Sequence, residues 1–493
     1  MNKKIDASSI ELWRYYRRQP SLFAQLPEAW QASVETNYAE AMQRLRTRQR
    51  RRAIPISIMA TLAALTVGKA KSTTYTTLLT GTSADTAYNS YTDASGNLVY
   101  QFASGDDIST TGTGANVYAV DLENSGSKII LQAGANGTGQ LSFSTVRPAT
   151  GVAGTVDTIN VNNGANLTVN GNSTIYAQTA DVWNSTAIGL HVNNSTATFN
   201  GTTTVSTYTS GYSQAVSINH SFVTFNGDVS FTAQAPGSMT SALYISGGGY
   251  GNVVINGNAT IQGLGIWPND NVHGIYNDNI NTRLTITGNL TLTAKSYGST
   301  VMGIRNQGNL RINGNVSITA TGPRSAYGID DTHRTARTYV GGDLTVSVVN
   351  TTNYTPFGNP VGLSNTYGIY DVMTLGGATN INVSAATTDY AITNNGTMSF
   401  TNAAKTATLR TSTNCSTCDV FGVQNTGGPL TFAGGLDVDE TTTGTGHRYA
   451  IWNVAANGMD ATVKVNQGGN QSVKIDGDVL DGDVKDATTG TVY

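Results

Sequence analysis

Charge is scarce in this sequence. Asp, Glu, Lys and Arg make up 12% of its 493 residues, against about 25% in an average globular chain. Glutamate almost vanishes after residue 70, where only Glu123 and Glu440 occur. Long helices draw on Glu, Lys and Leu, so the body of the chain is not that of a helix-rich enzyme. Positive charge is the scarcer sign there. From Lys71 onward 16 Lys and Arg face 26 Asp and Glu. An acidic body without a basic stripe argues against nucleic acid as a partner. Two cysteines, Cys415 and Cys418, exclude a fold built on a disulfide framework. The single long uncharged apolar run, residues 53–68, is shorter than the roughly 20 residues that span a bilayer.

Thr, Asn, Ser and Gly fill the space that charge leaves, with 55 glycines. They are arranged in a repeat. The clearest unit is Gly303–Ala320, GIRNQGNLRINGNVSITA. Leu310 and Ile312 alternate with polar residues, as do Val316 and Ile318, and Gly-Asn breaks the run. Period-two alternation bounded by Gly and Asn marks half-buried strands. One landmark is a small residue followed by Ile, Leu or Val, then Asn or Asp. It occurs at Ala242-Leu243, Gly274-Ile275, Gly303-Ile304, Gly328-Ile329-Asp330 and Gly368-Ile369-Tyr370-Asp371. It continues at Ala391-Ile392, Gly422-Val423 and Ala450-Ile451, with weaker copies at Ala119, Ala187 and Ala215. An aromatic often precedes it: Tyr327, Tyr367, Tyr390, Phe421, Tyr449. From Ala187 the steps are 28, 27, 32, 29, 25, 40, 23, 31 and 28 residues. A second landmark is Gly with Asn or Asp between strands: Gly171-Asn172, Gly227-Asp228, Gly257-Asn258, Gly288-Asn289, Gly314-Asn315 and Gly342-Asp343.

A degenerate all-strand repeat of this length predicts a solenoid. One unit buries too little to fold alone, and stacking gives its apolar residues a common column. The expected fold is all-β, a right-handed parallel β-helix of about 12 rungs, on the order of 60 Å long at about 4.8 Å per rung. A propeller blade needs longer repeats and a WD or kelch signature, which are missing. Length varies at one phase of the repeat, in insertions such as 262–273, 294–302 and 350–367. Insertions at one phase project from one side of the stack, so that side is the expected functional surface.

Residues 1–70 read as an extended signal segment. Residues 1–52 are helical in composition, with eleven Lys and Arg ending in a cluster at Arg44–Arg52. The apolar stretch 53–68 follows, then small residues that place cleavage after Ala70; an uncut membrane anchor is the other reading. Residues 71–115 are expected to cap the solenoid, and residues 116–493 to form the β-helix. The chain stops in the style of the repeat, so the β-helix is expected to be incomplete at its C-terminal end. No series of alternating strands of about ten residues, as in an outer-membrane barrel, follows it.

An extended basic signal followed by Thr/Asn/Gly-rich units of the form YGIxNxGxLxIxGxVxIxA resembles the passenger region of a monomeric (type V) autotransporter, in the adhesin-like group. The resemblance covers nearly all of residues 1–493. It implies export and display at the cell surface or outer membrane, or release from a Gram-negative cell. It implies an outer-membrane translocator barrel, not contained in these residues, as one partner, and host-cell or matrix surfaces, glycans or further copies of the chain as others. The implied role is adhesion, aggregation or another structural interaction, with no cofactor and no metal.

Each candidate for chemistry has a plainer reading beside it. Cys415-Ser-Thr-Cys418 lacks the βαβ setting of a redox CxxC and further zinc ligands, and suits a small loop disulfide in an exported chain. Asp476-Gly-Asp478 and Asp481-Gly-Asp483 lack the spacing of a calcium-binding repeat and suit turns. Asp330, Asp331 and His333, and Asp437, Asp439 and Glu440, are the nearest approach to a catalytic set. They would serve a carbohydrate-active enzyme, a polysaccharide lyase or hydrolase, which needs two carboxylates across a cleft. Asp330 is explained equally by the Asn/Asp position of the repeat. Trp267, Tyr297, Tyr354 and Phe357 lie in the insertions. They are candidate contacts for a partner or a sugar, or else covers for the flank of the stack.

Overall fold

The structure is a computed structural model. It describes residues 73–486 except 82–84, 86, 124–127, 135, 150–152, 181–184, 237–238, 248–249, 267–270, 352–358, 369, 444, 455–460, 468–470, 477 and 481–483. The expected signal segment and its cleavage point after Ala70 lie outside the described residues.

The described residues hold no helix, and their strands form three sheets. One turn of the chain shows the plan. Thr186–Asn193 lies in sheet 1, Thr196–Phe199 in sheet 2 and Thr203–Tyr208 in sheet 3, and Tyr212–Asn219 returns to sheet 1. Sheets 1, 2 and 3 contain 13, 15 and 14 strands. Their pairings are parallel throughout the described residues, apart from Ser90–Thr92 against Leu98–Phe102 at the N-terminal end. This is a parallel β-helix, the fold the repeat predicts.

The alternation of each strand sends one row inward. In sheet 2 the inner rows include Leu167, Val223, Leu284 and Leu310 beside Phe199, Phe225, Ile286 and Ile312, all buried. Neighbouring rungs stack like side chains, as Phe199 on Phe225 with centroids 5.2 Å apart and Phe400 on Phe432 at 4.4 Å. The result is one continuous core along the axis.

Each corner has its own chemistry. Between sheets 2 and 3 the chain turns at Gly-Asn or Gly-Asp. The side chain of one rung accepts a backbone N–H from the next. Asp228 Oδ1 accepts from Asn258 at 2.7 Å, Asn258 from Asn289 at 3.0 Å, Asn289 from Asn315 and Asn315 from Asp343 at 2.8 Å each. Glycine is required there because a Cβ on Gly314 would stand 2.4 Å from the Gly288 carbonyl oxygen. Between sheets 1 and 2 the early rungs turn through a left-handed residue, Asn163, Asn194 or His220, and Asn adopts that conformation more readily than most residues. Later rungs instead carry a buried Asn. Asn277 Nδ2 donates to Asn306 Oδ1 at 2.8 Å, and Asn365 Nδ2 to Asn394 Oδ1 at 2.8 Å. Asn425 and Asn453 continue the row.

Strand register corrects three points of the repeat. Ile329 pairs with Leu363 and Leu363 with Ile392. The landmark of that rung is therefore Gly362-Leu363, not Gly368-Ile369, and the steps of 40 and 23 residues around it become 34 and 29. The same holds at Gly189-Leu190, since Leu190, not Ile188, pairs with Val216. Finally, Asp331 occupies the Asn/Asp position, between Asn306 and Asn365, whereas Asp330 pairs with Arg305 and Ser364.

Candidate functional site

The corner from sheet 3 to sheet 1 holds the connections of variable length. The insertions singled out in the sequence fall there, although the last of them contains the strand Val361–Asn365. Apolar side chains are exposed along this edge in nearby rungs. Tyr208 ends a sheet 3 strand, Tyr212 begins the next sheet 1 strand, and Ile266 and Tyr297 follow in later connections. Tyr297 is 58% exposed, and the Lys295 ammonium lies 4.8 Å from its ring centre. Burial would favour these groups by about 25 cal/mol per Å², so their exposure leaves apolar area open to a partner. Trp267, Tyr354 and Phe357 belong to the same connections by sequence but lie outside the described residues. Tyr208 and Tyr212 escape a reading confined to the inserted segments, because they sit at strand ends, whereas Ile266 lies within the 262–273 insertion and escapes a reading confined to aromatics.

Cys415 and Cys418 lie in the connection between Thr406–Thr413 and Val420–Asn425 and are disulfide-bonded, with Cα atoms 5.4 Å apart. The bond closes a loop within one connection. By chain entropy so small a loop contributes on the order of 2 kcal/mol, local to this corner.

The two faces beside the edge differ. The outer face of sheet 1 carries an aromatic ladder. Tyr390 stacks on Phe421 at 4.7 Å, Phe421 on Tyr449 at 5.0 Å, and Trp452 closes the group 5.1 Å from Tyr449. Tyr390, Phe421 and Tyr449 are aromatics that precede the first landmark, set in register by the rungs. Sheet 3 is polar outside, with Thr204, Ser230, Thr260, Thr291 and Ser317 in register in one row. Towards its C-terminal end a shallow groove of about 260 Å³ is lined by Ser347, Asn382, Ser384, Arg410, Asp439 and Thr441. Arg410 bonds Asp437 at 2.5 Å and lies 3.4 Å from Asp439.

The candidate acids separate. Asp330 lies on the outer side of sheet 1 yet is buried, and Asp331 faces into the core. His333 stands at the next corner, with Nδ1 3.0 Å from Thr335 Oγ1. Asp437 and Asp439 face out of sheet 3 and are paired with Arg410, whereas Glu440 is buried. Glu440 Oε1 accepts the Gly422 N–H at 2.7 Å. Burial pushes its pKa up to about 8, and that of buried Asp389 to about 8. Asp476 pairs with Arg448 at 3.1 Å, while Asp481 and Asp483 lie outside the described residues. Among the described residues no three His, Cys, Asp or Glu side chains converge as metal ligands.

No family model, curated protein or solved structure matches the chain.

Proposed function

We propose that this chain is an autotransporter-type passenger, exported and displayed at a cell surface or released, and that it works as a non-catalytic adhesive module. The observation that supports this most is the loop-bearing edge. Tyr208, Tyr212, Ile266 and Tyr297 hold apolar surface in solvent along one edge of a stiff rod. A β-helix suits presentation, since each rung is fixed by both neighbours and the connections carry the variation. Partners of this kind are a host-cell or matrix surface, glycans, or another copy of the chain, and the exporting partner is an outer-membrane barrel.

The test is adhesion by cells displaying the chain with Tyr212→Ala and Tyr297→Ala combined. Adhesion should fall severalfold while the melting temperature stays within a degree or two. Unchanged adhesion would move the contact away from this edge. A carbohydrate-active enzyme is the second reading, and the groove beside Arg410 supports it with two outward carboxylates, Asp437 and Asp439. Both are held in ion pairs with Arg410, whereas glycoside hydrolysis takes one protonated and one ionised carboxyl group. Product release from a panel of polysaccharides, lost in Asp439→Asn, would establish that reading over the first.

A further inference from the structure

The buried Asn row of the later rungs has one interruption. Inside such a row, as at Asn306 and Asn394, Oδ1 accepts from the rung before and Nδ2 donates to the rung after. Asn306 Nδ2 donates to Asp331 Oδ1 at 3.1 Å, and Thr338 Oγ1 donates to the same oxygen at 2.7 Å. Asp331 has no N–H to pass on. Its Oδ2 and the Oδ1 of Asn365, its register partner, are both buried and both lack a hydrogen-bond partner. Two acceptors therefore stand at adjacent places in the row with no donor, inside fully buried residues. An unsatisfied buried polar atom is costly, because it has given up its hydrogen bonds to water and gained none in return.

Thr338 is part of the same arrangement. It pairs with Leu310 on one side and Met373 on the other, in a row that is otherwise apolar. The charged and titratable surroundings are acidic. Asp330 is on the same strand, and Asp371 at the next corner is buried with neither carboxylate oxygen hydrogen-bonded, although the Tyr367 and Val372 N–H groups lie close. Arg305, on the preceding strand, acts on Asp330.

We propose that the Asp331–Asn365 junction is a proton-dependent joint in the rod. With Asp331 protonated, Oδ2–H donates to Asn365 Oδ1 and the row is continuous. On ionisation the proton leaves to solvent, the bond is lost, and a buried carboxylate faces a carbonyl oxygen. Burial first, and the charge of Asp330 after it, hold the Asp331 pKa well above the usual carboxylate range against the lowering effect of the Thr338 and Asn306 hydrogen bonds, in keeping with a proton held at this place. A calcium ion is the other way to fill such a gap. It takes 6–8 oxygen ligands, and the two hydrogen-bond donors already on Asp331 oppose it.

The sign follows from linkage. A carboxyl group with a raised folded pKa stabilises the fold fully below its unfolded value of 3.8, and that contribution is lost as pH rises through the folded value. The test is hydrogen exchange on the full-length chain from pH 5 to pH 9, corrected for intrinsic rates. Opening of rungs 326–365 should rise with pH, approaching tenfold per unit for one proton below the folded pKa of Asp331 and levelling off above it, while rungs 186–286 do not follow. Asp331→Asn supplies the missing N–H. It should raise protection at pH 9 at least tenfold and leave only the share of Asp371 in the pH dependence. Thr338→Val removes a bond that favours the carboxylate, so it should move the onset of opening to higher pH. Asp331→Asn with unchanged pH dependence, or with less protection at pH 9, overturns the proposal. So does wild-type protection at pH 9 restored by 1 mM CaCl2.

Discussion

Asn277 donates its side-chain amide to Asn306 Oδ1 at 2.8 Å, across one rung of the stack. Both side chains are fully buried, and the bond runs along the axis of the rod. Asn306 also reaches the Gly308 and Arg337 carbonyls and Thr338 Oγ1, at 3.1 to 3.3 Å. Such a side chain joins two corners and two sheets, so its loss is felt beyond its own rung.

Asn306→Ala should therefore destabilise the solenoid by about 2–3 kcal/mol, the cost of several buried acceptors left without donors. Urea unfolding measures the total. Hydrogen exchange should place the loss in rungs 271–340, because stacked repeats couple chiefly to their neighbours.

Gly303 makes a steric prediction. A Cβ there would stand 2.5 Å from the Gly328 carbonyl oxygen and 2.6 Å from Ile318 Cγ2. Gly303→Ala should cost about 1–3 kcal/mol by overpacking. Ile318→Leu in the same chain removes the Cγ2 branch that the new Cβ would meet, and should recover part of that loss in a thermal melt.

His273 is pushed down to about 3, first by burial and then by the positive charge of Arg305. Its folded value lies below its unfolded 6.5, so the neutral ring stabilises the fold above pH 6.5. That contribution declines as pH falls towards 3, by about 1.4 kcal/mol per unit. His273→Gln should weaken this acid loss, read as exchange in rung 271–306 between pH 6.5 and pH 4. The trend runs opposite to that of the Asp331 joint, and separate rungs report the two.

Tyr297 and Tyr212 are exposed and separable from stability. Either one changed to Ala should alter unfolding by less than about 0.5 kcal/mol, as for most surface substitutions. Circular dichroism melts check this, and make any loss of adhesion attributable to contact rather than to folding.

The repeat is legible because stacking imposes the same demand on every rung. Inward Ile, Val and Leu at period two, and Gly-Asn at the sheet 2 to sheet 3 corner, give the fold and the side of the loops. Register is harder. Residues 362–371 contain Gly-Leu-Ser-Asn and Gly-Ile-Tyr-Asp in tandem, and local pattern cannot choose between them; the pairing of Ile329 with Leu363 does. One residue of slip likewise exchanges Asp330 and Asp331 between the outer side of the sheet and the core, which hides the interrupted Asn row. The aromatics of sheet 1 are visible as a recurring position, but their stacking depends on rung spacing and not on any neighbour in sequence.

Surface display is the claim on which the adhesive reading depends. The most direct measurement expresses the gene with its natural downstream DNA in its host, adds protease to intact cells, and probes for residues 73–493. Loss of the signal from intact cells is the predicted result. Full protection, with release only after the outer membrane is broken, would contradict display and place the rod in the periplasm.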